Sequence, residues 1–241
     1  MPFMCVQIDR FIKGIKQSSA NYQYKMQGIY SASGQCIGYE VLIDQIRSRE
    51  TLLGPNVHSD LTFSSSANYL LERIKVAVEN GRFECDWSGK YIFLNIERSN
   101  LCDITLLARL IELNSYLLEK QIGLVVEMTE RNVCGSCVRI IEGLTLLKQN
   151  GVVTAADDYD IYHSDFRANE LDMNLYEFIK IQSPSSAREV DMLETFAQVR
   201  PEKIIMEHVE STSIFKMLVG LNRFFWGYQG YCFDKGTPIY I

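Results

Sequence analysis

From Tyr91 to Tyr228 the chain repeats one unit, a short apolar run followed by a longer segment whose apolar residues recur every three to four positions. The runs at 91–96, 124–128, 152–156, 178–181, 204–206 and 224–228 have the length and composition of strands. Between them, Ile104 to Lys120, Val138 to Gln149, Val190 to Val199 and Ile214 to Leu221 have helical periodicity, and Leu70 to Asn80 precedes the first of these strands with the same pattern. Asn150-Gly151 and Pro201 supply stop signals. Apolar strands alternating with amphipathic helices require parallel strands joined by crossover helices. No glycine-rich phosphate turn follows the first strand, so a closed α/β barrel of the TIM-like (β/α)8 kind fits better than an open dinucleotide-binding sheet. Tyr24 to Tyr30 and Cys36 to Leu42 are two β-type runs around a Ser-Gly turn. They predict an opening hairpin, and hence one antiparallel strand in the barrel. The polar stretch from Thr51 to Ser66, with Gly54-Pro55, reads as a surface connection, and residues 1–241 read as a single domain.

Charge and cysteine usage narrow the class. A net charge of −6 provides no basic footprint for a nucleic-acid backbone. It leaves room for a small anionic ligand, because a bound cation can invert the local field. No apolar run approaches the ~20 residues that span a bilayer, and no signal-peptide core lies near Asp9-Arg10. Seven scattered cysteines, an odd number, point to reduced thiols and a cytoplasmic location.

The chemistry is signalled by what ends each strand. Glu40 lies in the second run, Asn95 closes Tyr91–Asn95, and Glu127 closes Leu124–Glu127. Asp157-Asp158 follow Ala156, Lys180 lies in Phe178–Ile181, Glu207 follows Met206, and Gln229 follows the last aromatic run. Barrel active sites form at strand C-termini. Several carboxylates gathered there are costly unless a cation compensates them. Hard oxygen donors favour Mg²⁺, Mn²⁺ or Ca²⁺ over zinc, and two adjacent aspartates can bridge or flank a metal pair.

Glu40-Val-Leu42 resembles the Glu-Ala-Leu signature of the EAL family of cyclic di-GMP phosphodiesterases. Glu127-Met-Thr-Glu130 is similar to the family's E-x-T-E, Asp157-Asp158-Tyr159 to D-D-F, Ile179-Lys180-Ile181 to its I-K segment, Glu207-His-Val-Glu210 to E-G-V-E, and Gln229-Gly-Tyr231 to Q-G-Y. The motifs come in the family's order from about Tyr24 to the C-terminus. The resemblance implies an EAL-type barrel that hydrolyses one phosphodiester of cyclic di-GMP to give linear pGpG. It implies a two-metal site with Mg²⁺ or Mn²⁺ on Glu40, Asn95, Glu127 and Asp157, completed by Asp158 and Glu207. Lys180 would hold or deprotonate the attacking water, Gln229 would join the water and metal network, and Glu130 would anchor the loop after the aspartate pair. Leu42, Asp44 and Glu210 complete the candidate substrate-binding and supporting set.

Asp44 stands where the family usually has a phosphate-contacting arginine, and an acid there repels phosphate. The loop Asp157-Asp-Tyr-Asp-Ile-Tyr-His-Ser-Asp165 has lost both glycines of the family pattern, so positive-φ turns within it are costly. In the family this loop serves metal binding and homodimer contacts. Two readings follow: a phosphodiesterase, or a non-hydrolytic descendant that binds cyclic di-GMP or a regulatory protein partner such as a transcription factor. Cys134-Gly-Ser-Cys137 opens a helix, where a thiol pKa falls, but it reads as two ordinary cysteines at a loop-helix junction, with a redox pair as the alternative. His58, His163 and His208 lack metal-ligand spacing and read as surface residues, and Phe224-Phe-Trp226 reads as core or rim packing with guanine stacking as the alternative.

Overall fold

The computed structural model describes residues 23–44, 64–81, 87–129, 137–221 and 225–239. The chain opens with the hairpin β1 (Tyr24–Tyr30) and β2 (Cys36–Ile43), followed by α1 (Ser64–Glu79). Then come β3 (Tyr91–Ile96), a 3-10 turn (Arg98–Cys102), α2 (Ile104–Glu119), β4 (Gly123–Met128) and α3 (Val138–Gln149). Next are β5 (Val153–Ala156), α4 (Ala168–Asp172), β6 (Phe178–Gln182) and α5 (Ala187–Val199). The last elements are β7 (Lys203–Glu207), α6 (Thr212–Gly220), β8 (Gly227–Tyr228) and β9 (Thr237–Ile239). Strands β2 to β8 pair in order and in parallel. β1 runs antiparallel to both neighbours and closes the ring at Tyr30–Tyr228. β9 lies outside the ring, antiparallel along the first half of β1. This is a (β/α)8 barrel with one antiparallel strand.

Helix starts follow local capping chemistry. The Asp103 side chain accepts from the amides of Thr105 and Leu106 at the start of α2, Ser186 caps α5 through Glu189, and Ser211 caps α6 through Ile214. The N-terminal boundaries of α5 and α6 therefore fall two or three residues earlier than their apolar periodicity suggests, and α1 starts at Ser64 rather than Leu70. The first turn of a helix is polar, so a hydrophobic pattern does not report it. Of the polar stretch at 51–66, residues 51–63 lie outside the described residues, and 64–66 already belong to α1. The last barrel strand is also shorter than expected, Gly227–Tyr228 rather than 224–228.

Alternation along the strands builds the interior in layers. Ile29, Phe93, Val125, Ala155, Phe178 and Ile205 form one buried cluster inside the ring. On β2 and β8 the corresponding places are Gly38 and Gly227. A Cβ on Gly38 would lie 2.9 Å from the Tyr91 carbonyl, and one on Gly227 would lie 2.7 Å from an Ile29 methyl. Both glycines make room for bulky neighbours. Trp226 seals the end away from the mouth, with its ring 4.7 Å from Phe178 and 5.4 Å from Tyr91, edge to face. Phe225 is buried in the outer core, so the described part of the aromatic run is packing.

Phe178 is fully buried at the centre of this layer, so Phe178→Ala should cost about 3–5 kcal/mol through lost transfer energy and a residual cavity. Urea denaturation followed by tryptophan fluorescence measures it.

Candidate active site at the barrel mouth

Side chains on a strand repeat their direction every second residue. Two positions beyond each member of the apolar layer, toward the mouth, the sequence places a second ring: Gln27, Glu40, Asn95, Glu127, Asp157, Lys180, Glu207 and Gln229. One comes from each of the eight strands or the residue following it. Apart from Glu127, all of them line a cavity of about 460 Å³ at this end of the barrel. Its wall also includes Leu42, Ile43 and Leu70 on one side and Asp158, His208, Glu210 and the exposed Tyr231 at the rim.

At the centre is the buried ammonium of Lys180. Its Nζ lies 3.0 Å from Glu40 Oε2, 3.0 Å from Glu127 Oε1, 2.9 Å from Asp157 Oδ1 and 2.9 Å from Glu207 Oε1. Glu40 is further held by Asn95 Nδ2, donating at 2.6 Å to Oε1, and by Gln229 Nε2, donating at 2.7 Å to Oε2. Gln229 also donates to Gln27 Oε1 at 3.2 Å, and Gln27 donates to the Asp234 carbonyl at 3.0 Å. Gly230 keeps Gln229 in place: a Cβ there would lie 2.4 Å from the Val209 backbone, against which this loop is hydrogen-bonded.

Four carboxylates around one ammonium leave an excess of negative charge in a buried place. Burial pushes the Glu127 carboxyl well above the usual range, with repulsion from Glu40 adding to it. Burial also raises Asp157 to about 6 and Glu207 to about 8, against the pull of Lys180. For Glu40 burial is outweighed by Lys180 and by the hydrogen bonds from Gln229 and Asn95, and the carboxyl is held low. For Lys180 burial is outweighed by Asp157, Glu127, Glu207 and Glu40, and its pKa rises well above normal.

The donor set suits a hard divalent cation. Oε2 of Glu127, Oε2 of Glu207 and Oε1 of Gln229 are buried without a hydrogen-bond partner among the described residues, and all three are acceptors that a cation would satisfy. Among the described residues no three acidic, histidine or cysteine side chains enclose an ion on their own. The carboxylates gather around Lys180 instead.

The remaining candidates are less central. Asp158 is exposed at the rim with φ 45°, and Glu210 is exposed there as well. Leu42 faces the cavity, whereas Asp44 is buried at the end of β2 and is not among the lining residues. Glu130, Cys134, His58 and Phe224 lie outside the described residues. Cys137 is a free, half-buried thiol at the start of α3, and His163 is exposed beside Asp160. Sequence reasoning missed Gln27, Glu97 and Arg167. Glu97 is buried and accepts from Thr129 Oγ1 at 3.1 Å. Alternation counted from Ile29 would have found Gln27.

No model of a known protein family matches the sequence, and no curated protein matches it either. Solved structures do match. The EAL enzyme Bd1971, in a form bound to cAMP and cyclic di-GMP, superposes with a TM-score of 0.67 and 19% identity, covering 95% of this chain and 66% of that one. The FimX EAL domain from Pseudomonas aeruginosa, bound to c-di-GMP, gives 0.64 and 17%, covering 96% of each chain. BlrP1 of Klebsiella pneumoniae, as a manganese and cy-diGMP complex, gives 0.65 and 16%, covering 90% of this chain and 56% of that one. The chain thus spans just under two thirds of the first of these proteins and nearly all of the isolated domain. It has the EAL-type barrel fold.

The raised carboxyls set a sign for pH. Asp157 and Glu207 hold protons when folded that an unfolded chain releases near its ordinary values of 3.8 and 4.5. The folded state therefore binds more protons between the unfolded and folded values, and in chelator its stability should fall as pH rises from about 4 to about 8, with Glu207 alone of the two contributing above about 6. Thermal melts in EDTA should show this decline, flattened in Glu207→Gln.

Proposed function

We propose that this protein is a member of the EAL family and a divalent-metal-dependent phosphodiesterase that opens cyclic di-GMP to linear pGpG. The observation that carries the reading is the ring of polar side chains at the barrel mouth, with Lys180 within 3.0 Å of four carboxylates. Glu40, Asn95, Glu127 and Asp157 would hold one Mg²⁺ or Mn²⁺, with Asp158 and Glu207 completing a pair. When bound, the ions supply acidification of the attacking water and stabilisation of charge building on phosphorus. They also remove an electrostatic objection, since bare carboxylates at the mouth repel a phosphodiester.

The protein's own side chains hold and orient. Asn95 and Gln229 fix both oxygens of Glu40. Lys180 donates to Glu40 and to Asp157, which sets an ammonium beside the place where water would be activated. Water adds to one phosphorus, one P–O ester bond of the ring breaks, and the departing oxygen takes up a proton. The apolar wall of Leu42, Ile43 and Leu70 and the rim ring of Tyr231 suit a nucleobase. Among the described residues no helix is long and apolar enough to cross a membrane. A cytoplasmic location and homodimer formation are further parts of the proposal.

Two features support a second reading, a non-hydrolytic cyclic di-GMP receptor or protein-binding regulator. An acid occupies position 44, and the loop after Asp157-Asp158 has no glycine. Purified protein incubated with cyclic di-GMP and Mn²⁺ separates the two. Release of pGpG is expected; cyclic di-GMP binding without pGpG would favour the receptor. Calorimetry should find Mn²⁺ binding abolished in Glu40→Ala. Lys180→Met should retain it while losing at least about 100-fold in turnover, the usual scale of removing one positioned hydrogen-bond donor.

A further inference from the structure

Arg167 is wholly buried, beneath the loop that follows β5. All five N–H groups of its guanidinium are used. Nε and Nη2 grip the two oxygens of Asp165 at 2.9 and 2.7 Å. Nη1 donates to the carbonyls of Met128 at 2.9 Å and Asp157 at 2.7 Å, and Nη2 to that of Asp158 at 3.3 Å. Tyr159 and Phe166 each hold a ring 5.5 Å from the guanidinium carbon. Asp165 also accepts from the Asp160 amide at 3.2 Å, and Asp160 in turn accepts from the amides of Tyr162 and His163. One cation thus ties the end of β4, the carbonyls of the aspartate pair and the far end of the loop together.

The loop needs such a tie. Asp158 has φ 45° and Ser164 has φ 80°, conformations that favour glycine, and neither residue is glycine. A buried ion pair adds little net stability over an apolar replacement. What it does provide is a single geometry, because the carbonyls and carboxylate must meet a rigid planar fork. We propose that Arg167 is a positioning residue: by clamping the carbonyls of Met128, Asp157 and Asp158 it fixes both aspartate side chains at the mouth in the arrangement that receives the cation. The inference rests on the metal-site reading above and assigns Arg167 no contact with substrate.

Hydrogen exchange and Mn²⁺ calorimetry on the full-length chain test it, using Arg167→Met, Arg167→Lys and Asp165→Asn. Lysine keeps the charge but has no planar fork, and asparagine keeps the volume of Asp165 but loses one charged acceptor. In metal-free protein, exchange across 158–166 should speed up at least tenfold in Arg167→Met while β3, β4 and β6 keep wild-type rates. Mn²⁺ affinity should fall at least tenfold, with smaller losses in the other two variants. A faster-exchanging loop with Mn²⁺ affinity within twofold of wild type would overturn the proposal, since a merely structural clamp predicts that result. Unchanged exchange would overturn it too. If Arg167→Met does not fold, Arg167→Lys and Asp165→Asn decide on the same criteria. If the wild type itself binds no Mn²⁺, the metal-site reading fails. The positioning role then falls with it, whatever the exchange rates, and that outcome is distinct from a wild type that binds Mn²⁺ beside an Arg167→Met variant that binds it equally well.

Discussion

The site depends on one electrostatic fact: a single buried ammonium faces four carboxylates at 2.9–3.0 Å. Gathering these groups out of water costs several kcal/mol per ion, and the attraction of one lysine cannot offset all of it. The surplus charge has two outlets. Protons can neutralise carboxyls, which is the direction in which Glu127, Asp157 and Glu207 are pushed. Alternatively a divalent cation can do so, which is the proposed reading. Glu40 stands apart because Lys180, Gln229 and Asn95 all donate to it, so its carboxyl is held low while those of its neighbours are pushed up. On the proposed reading such a site would exchange protons for metal, and its occupancy would be coupled to pH.

The barrel makes that concentration of charge feasible by separating it from the apolar layer only two residues below. Phe93, Val125, Ala155, Phe178 and Ile205 take up the strand twist and exclude water. The next inward positions, Asn95, Glu127, Asp157, Lys180 and Glu207, inherit their directions from the same ladder. Moving any one of them by a residue would turn it outward and bring an apolar side chain to the mouth. The hydrogen-bond register of the sheet is therefore also the register of the site.

Much of this was legible in the sequence, for identifiable reasons. Helix α3 was read at its observed bounds because an apolar face and an Asn-Gly stop coincide there. The strand-end residues were legible because parallel strands place their C-termini on one face. That rule hid Gln27: β1 runs antiparallel, so its mouth residue lies toward its N-terminal half. Arg167 was hidden for a different reason. It sits where the chain has no period, and an arginine there reads as solvent-facing until Asp165 and three carbonyls are seen to surround it. The last strand reads too long from sequence because Phe225 and Trp226 have strand-like composition, whereas β8 begins only at Gly227.

The two functional readings divide along the same physical line. The polar ring is carried by the sheet and is a liability to it, because an apolar layer in its place would be cheaper to bury. Its presence therefore argues for a ligand that uses it. The features that depart from the family pattern, Asp44 and the glycine-free loop, lie at the strand end and beyond it, where the chain can vary without disturbing the ladder. Asp44 is buried and is not among the residues that line the cavity. The loop keeps its positive-φ turns without glycine through Arg167 and Asp165. Beneath the mouth Glu40 and Lys180 are held by β2 and β6, while Asp157 follows the end of β5 and its carbonyl is held by Arg167. On the proposed reading, hydrolysis requires a mouth that admits the cyclic dinucleotide above the Lys180 cluster.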